Sequence, residues 1–309
     1  MKPQRILTAL LAAAALAAGA ETHKAADTHA FTAEWRAELL ANAGKGTFAP
    51  SYMASNRHGI LTQGENLLAR GAVWKPLATD RRFSWGFGAD VIAGASSSTA
   101  YRRYDGGEWT SVSRRPSAIW LQQAYAEVKY RGVFLTAGLK EHGSALLNQR
   151  LSSGDLTESG NSRPIPEVRA GFIDFQDIPF TQGWVQIQGE ISYGKMTDNR
   201  WLREHFNYHD YHITQGSLYT YKRCYFRTKP SMPLSVTVGM QVGAFFGGQA
   251  VHYLNGEIDR VENFSRGPKQ FLKMLVPTDG GVEYYAGSSL GSWDIMLRYN
   301  LPGGYTIKA

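Results

Sequence analysis

Apolar and polar side chains alternate with a period of two through most of this chain, which restricts it to β-strands with two unlike faces. Between residues 234 and 246, Leu234, Val236, Val238, Met240, Val242, Ala244 and Phe246 stand against Ser235, Thr237, Gly239, Gln241 and Gly243. Between 83 and 92, Phe83, Trp85, Phe87, Ala89 and Val91 stand against Ser84, Gly86, Gly88 and Asp90. The pattern predicts further strands over 67–75, 119–130, 133–139, 168–175, 185–193, 218–227 and 293–299. Their lengths suit tilted strands that cross a bilayer. In 185–193 the second face carries Gln186, Gln188, Glu190 and Ser192. Such a row is hard to bury in a small sandwich but natural beside a wet lumen. A soluble β-sandwich with one solvated face is the competing fold.

Composition supports the first alternative. No segment after the N-terminus stays apolar for the length of a membrane helix, yet the chain holds 33 Gly, 16 Tyr, 14 Phe and 8 Trp with a negative mean hydropathy. A barrel averages its hydropathy away in this manner, because lipid-facing and lumen-facing residues alternate. Tight connections such as Tyr130-Arg131-Gly132 and Lys229-Pro230-Ser231-Met232-Pro233 contrast with long ones over 95–116, 140–167, 195–216 and 247–291. Short turns at one end and long loops at the other mark outer-membrane barrels, and the long loops are expected to face outside. Within the last of them, 267–276 has the apolar spacing of a short plug or rim helix, although a packed loop fits as well.

Lys2 and Arg5 precede an apolar run from Ile6 to Ala18, and Ala18-Gly19-Ala20 supplies a small-x-small cleavage site. This predicts a secretory signal peptide over 1–20 and a barrel domain over 21–309. The formal charge is +7; two of those charges belong to Lys2 and Arg5, which leaves +5. The basic residues sit mostly at loop edges beside acidic ones, which argues against nucleic acid as a partner. The one cysteine, Cys224, excludes an intramolecular disulfide framework and reads as a small packing residue. The fold expected is therefore all-β, a transmembrane antiparallel barrel of the outer membrane. Only nine or so strands are countable, and 305–309 follow a Pro-Gly-Gly turn without a final aromatic strand. Since a barrel must close, the expectation is that C-terminal strands are missing and the barrel is incomplete in this chain.

The stretch from Leu151 to Tyr208, with "YKRCYFRTKPSMPLSVTVGMQ" and "GSSLGSWDIMLRYNL", resembles the capsule assembly Wzi family of outer-membrane proteins, in the form common among Bacteroidetes. The best single marker is Asn161-Ser162-Arg163-Pro164-Ile165-Pro166-Glu167, in which two prolines fix the backbone before a strand and direct Arg163 and Glu167. The resemblance covers about 51–299. It implies a non-enzymatic barrel with a polar lumen that anchors or assembles capsular polysaccharide at the cell surface, beside outer-membrane lipid and lipopolysaccharide.

Sugar binding needs flat aromatic faces for C–H groups and charged or amide groups for hydroxyls and acidic substituents. The third long loop offers Asp198, Arg200, Trp201, Arg203, Tyr208, Asp210 and Tyr211, and the first offers Tyr101, Arg102, Arg103, Arg114 and Arg115. The competing reading makes these aromatics an interfacial girdle or self-packing loop, and these arginines solvated or lipopolysaccharide-facing. His205, His209 and His212 are spaced for one helical face, but no His-Glu-x-x-His arrangement accompanies them, and neither a metal nor another cofactor is expected. The predicted strands carry no His to pair with a serine, and no phosphate-binding loop, G-x-S-x-G or dinucleotide fingerprint occurs, so no enzyme activity is expected. The alternative function is a porin-like channel for small solutes.

Overall fold

A computed structural model describes residues 32–46, 54–148, 152, 154–274 and 289–309; the expected signal peptide lies outside them. In chain order the strands are β1 (Glu34–Ala43), β2 (Glu65–Lys75), β3 (Phe83–Ser96), β4 (Thr99–Asp105), β5 (Glu108–Arg114), β6 (Ile119–Tyr130), β7 (Val133–Leu139), β8 (Glu167–Phe172) and β9 (Gln176–Asp177). There follow β10 (Val185–Lys195), helix α1 (Trp201–His205), β11 (Tyr211–Gln215), β12 (Leu218–Thr228), β13 (Leu234–Phe246), β14 (Gly248–Leu254) and β15 (Glu257–Phe264). Helix α2 (Pro268–Lys273), β16 (Ser289–Asn300) and β17 (Thr306–Lys308) complete the described elements.

The chain is mostly antiparallel β-structure. Twelve strands form one sheet in the order β1-β2-β3-β6-β7-β8-β10-β12-β13-β16-β17, with β9 paired to β10. β1 is rich in good helix formers, Glu34, Ala37, Glu38, Leu39, Leu40 and Ala41, yet it is a strand because all ten of its residues pair with β2. Tertiary pairing here overrides local propensity. Arg131, at φ 55°, turns β6 into β7 in two residues. Gly88 and Gly239 stand opposite Tyr125 and Tyr225 on the neighbouring strands, and each tyrosine ring occupies the space that a Cβ at the glycine would need.

The burial of the sheet is inverted relative to a water-soluble sandwich. In β13, Ser235, Thr237 and Gln241 are buried while Leu234 and Val238 are exposed. In β3, Ser84, Gly86, Gly88 and Asp90 are buried while Phe83, Trp85 and Val91 are exposed. β16 continues the apolar face with Trp293 at 76% and Ile295 at 69% exposure. Over these stretches the polar row is the more buried one.

Three of the expected long loops carry strands of their own. All leave the sheet at one end: β4 and β5 form a hairpin between β3 and β6, while β11, β14 and β15 form a three-stranded sheet inserted around β12 and β13. The described part of the fourth, 140–148, 152 and 154–166, departs from the expectation that long loops face outward. It lies as a strap against the polar face, where Glu141 accepts hydrogen bonds from Arg70 of β2 at 3.3 Å and Gln122 of β6 at 3.0 Å. Asp155 accepts from Gln241 of β13 at 2.7 Å, Thr157 Oγ1 lies 3.4 Å from Ser292 Oγ of β16, and Glu158 holds Arg169 of β8. The physical reason is charge: buried arginines and amides on the strands need acceptors, and the strap supplies three carboxylates.

Candidate functional site

Two polar regions result, one on the inner face and one in the layer beyond the strand ends. The inner one centres on Arg169, which is 1% exposed. Its Nε donates to Glu167 at 2.8 Å, its Nη1 to Glu158 at 3.1 Å and to Glu190 at 2.5 Å, and its Nη2 also reaches Glu158. Arg223 meets Glu190 at 3.1 Å, and His142 on the strap meets Glu167 at 2.8 Å. A second knot joins Arg70 to Asp90, Glu38 and Glu141. Charges buried together in this way satisfy one another and leave little for a ligand.

The outer layer brings the two loop segments singled out in the sequence onto one surface. The β4–β5 hairpin packs on α1 and the turn after it: Tyr104 N donates to Asn207 O at 2.8 Å, and Asn199 Nδ2 donates to Ser117 Oγ at 2.7 Å. Tyr101, His205 and Trp201 stack in sequence, with ring centroids 4.1 and 3.9 Å apart, and the Arg114 guanidinium lies 5.4 Å from the Trp201 ring. Arg114 Nη2 also donates to Asn199 O at 2.9 Å. Tyr101, Trp201 and Arg114 are therefore engaged in holding the hairpin to α1, which is the self-packing alternative for Trp201 and neither of the two readings given for Arg114.

The other residues keep open faces. Arg102, Arg115, Arg200 and Tyr211 are exposed, Arg102 lying 5.5 Å from the Trp109 ring. Arg103 pairs with Asp105 at 3.2 Å, and Arg203 donates to Gln215 at 2.6 Å. Asp198 receives the backbone N–H groups of Arg200 and Leu202, at 3.0 and 2.7 Å, and so starts α1. The Tyr208 hydroxyl donates to Arg203 O at 2.7 Å, and its pKa is raised, chiefly by burial. Asp210 meets His209 at 2.5 Å, and that contact holds its carboxyl below the usual carboxylate range.

The three histidines do not share a helical face, because α1 ends at His205. His209 lies in the following bend against Tyr104 and Trp109, and His212 is on β11 with its ring 5.0 Å from His252. Among the described residues no group of three or more His, Cys, Asp or Glu is placed to hold a metal ion.

A cleft of about 590 Å³ opens between the tips of the β4–β5 and β14–β15 hairpins, lined by Arg103, Tyr104, Tyr208, Tyr253, Asn255 and Glu257. Tyr208 and Tyr253 meet edge to face at 5.5 Å. Tyr208 and Tyr211 both have positive φ, 59° and 82°, an uncommon state for bulky residues that the surrounding contacts must hold. Tyr253, Asn255 and Glu257 were not singled out in the sequence. The signal was present in Asn255-Gly256, at φ 52° and 85°, a two-residue turn that favours a hairpin between flanking strands.

Comparison with protein-family models, with curated proteins and with solved structures finds no match to this chain.

Proposed function

We propose that this protein is an outer-membrane β-barrel that holds an acidic surface polysaccharide on its loop layer without chemical turnover. This is the function implied by the resemblance to the capsule assembly Wzi family. The observation that carries the membrane part is the inverted burial: exposed Phe83, Trp85, Val238, Trp293 and Ile295 on one face, buried Asp90, Glu127, Arg169 and Gln241 on the other. Lipid gives the exposed row a favourable environment that water does not. The described sheet runs from β1 to β17 as an open order, and closing it into a barrel would leave no backbone group unpaired in that lipid.

The binding part rests on the loop layer, where segments about a hundred residues apart join and leave Arg102, Arg115, Arg200 and Tyr211 open to solvent. Arginine forks suit the carboxylates of acidic sugars, and tyrosine rings suit their C–H faces. The strap across the polar face favours an obstructed interior over an open pore. Capsular polysaccharide, lipopolysaccharide and lipid are the partners this reading requires, and export to the outer membrane is its location.

The test is binding of purified acidic capsular polysaccharide to the full chain in detergent, compared with a variant carrying Arg102→Ala, Arg115→Ala, Arg200→Ala and Tyr211→Ala. Saturable binding that the variant loses supports the reading. Ion conductance in planar bilayers with no polysaccharide binding would replace it with the porin-like channel. Recovery of the native protein from lysed cells in the aqueous fraction without detergent would remove the membrane reading altogether.

A further inference from the structure

Among the described residues of the strap, Arg163 is a cation that the ion-pair network does not use. Arg163, in the Asn161-to-Glu167 run with two prolines, lines a cavity of about 320 Å³ between the strap and the ends of β12 and β13. Its Nε donates to Gly59 O at 3.1 Å, and its guanidinium lies 4.2 Å from the Trp120 ring. Gly59, at φ 66°, makes room for it: a Cβ there would stand 2.9 Å from Arg163 Cγ and 3.1 Å from its backbone nitrogen. Pro164 and Pro166 hold the following backbone extended into β8, so the side chain is placed by rigid neighbours on both sides.

The charges around this cavity are accounted for one by one. Lys140 pairs with Glu127, Glu141 with Arg70, and Glu158 and Glu167 with Arg169. Arg163 has no ion pair among the described residues, and burial alone lowers its pKa, with no carboxylate to offset the loss of hydration. A guanidinium has five N–H donors, and Gly59 takes one. Desolvating a charge without a counter-charge is costly, so the folded chain gains from an anion that fills the place.

We propose that this cavity is a seat for a small oxyanion or carboxylate, gripped by the free edge of Arg163 with Ser159 and Ser162 lining the same space. Its exposed lining residues are Ser162, Met196 and Thr197, the last two on the side of the loop layer. Met196 and Phe245 also line a neighbouring cavity of about 440 Å³, whose rim includes Arg200 and Arg203. An anion therefore approaches past further arginines. The seat stands whether or not the loop layer holds polysaccharide. Its ligand is a free phosphate-like ion or the acid group of a sugar, which share the chemistry that Arg163 recognises.

The experiment is calorimetric titration of the full chain in detergent with inorganic phosphate, with D-glucuronate and with neutral D-glucose. Saturable binding of at least one anion and none of glucose is expected. Binding of both anions identifies a seat for free oxyanions, and binding of glucuronate alone identifies the acid group of a sugar. Arg163→Gln should weaken binding at least about tenfold, and Arg163→Lys should retain part of it, since lysine keeps the charge without the fork. If Arg163→Gln fails to fold, Thr197→Trp tests the same seat by blocking its loop-layer side while Arg163 stays in place, and it should abolish binding. Lack of binding of either anion by the native chain, equal binding of glucose, or full affinity in the folded variants would overturn the proposal.

Discussion

The polar face and the loop layer are built from the same residue types, and they use them differently. On the polar face Arg169 directs its donors to three glutamates and is almost wholly removed from solvent. In the loop layer Arg114 rests on a tryptophan ring and Arg102, Arg115 and Arg200 face solvent. The first arrangement fixes the strap to the strands, because each buried charge makes removal of its partner expensive. The second costs little to disturb and leaves groups free for something outside the chain. Buried charge that is paired is structure here, and charge without a partner, at Arg163 and on the exposed loop layer, is the place to look for recognition.

The largest effect that tests this contrast is on Arg169. Arg169→Met should destabilise the protein by about 3–5 kcal/mol, since Glu158, Glu167 and Glu190 lose their common partner. Arg114→Met should cost about 1–2 kcal/mol, the scale of one cation–π contact and one hydrogen bond of a half-buried guanidinium. Urea unfolding of both variants in the same detergent measures the difference. Equal costs would dissolve the distinction between the two regions.

Next comes the outer face of the sheet. Ile295→Arg should cost about 2–4 kcal/mol if that face meets lipid near the membrane midplane. In water the same substitution at an exposed position changes stability by about 0.5 kcal/mol or less. Folding into lipid vesicles, followed by its unfolding midpoint, separates the two, and the smaller value would return the sheet to an aqueous setting.

The strands of the large sheet were legible in the sequence because both of their faces are specified. The expected bounds 119–130, 133–139 and 234–246 coincide with β6, β7 and β13. β1 escaped notice because Leu39, Leu40 and Ala41 break the alternation and favour helix, and only pairing with β2 decides its conformation. The strands within the long loops were missed for another reason. β4, β5, β14 and β15 are short and mixed in character, but Gly106-Gly107 between β4 and β5 and Asn255-Gly256 between β14 and β15 are turn signals that mark both hairpins. The meeting of the two loop segments was not legible at all, since it depends on which strand ends lie together. Nor was the inward course of the strap: its carboxylates gain meaning only once Arg70, Gln241 and Arg169 are seen on one face.

A smaller effect concerns attachment of the strap. Glu158→Gln together with Asp155→Asn removes two of its carboxylates, at about 1.5–3 kcal/mol for each charged hydrogen bond lost, Glu158 to Arg169 and Asp155 to Gln241. If the sheet closes around the strap in a membrane, the double variant should conduct ions in planar bilayers more than the native protein does, because the strap is then held to the strands chiefly by Glu141 and His142. Native conductance as large as that of the variant would show that the strap does not obstruct the interior.

The smallest effect is a pH dependence at His58, where the strap meets the turn before β2. His58 N donates to Gly160 O at 2.6 Å, and its carbonyl accepts from Gln122 at 2.9 Å. Glu141 and Glu158 face the imidazole and raise its pKa, Arg70 and His142 lower it, Lys140 and Arg163 line the same cavity, and burial is the largest influence and lowers it. With the folded pKa below the unfolded value of about 6.5, the unfolded chain takes up the proton first as pH falls. The stability carried by the neutral ring is complete above about pH 6.5 and is lost as pH drops from there through the folded pKa. Amide hydrogen exchange, corrected for its intrinsic pH dependence, should therefore speed up over 54–60 and 154–163 below about pH 6.5 while β6 and β7 stay protected. His58→Gln should flatten that response. If the native strap exchanges at the same corrected rate above and below this window, the imidazole is not what couples the strap to acid.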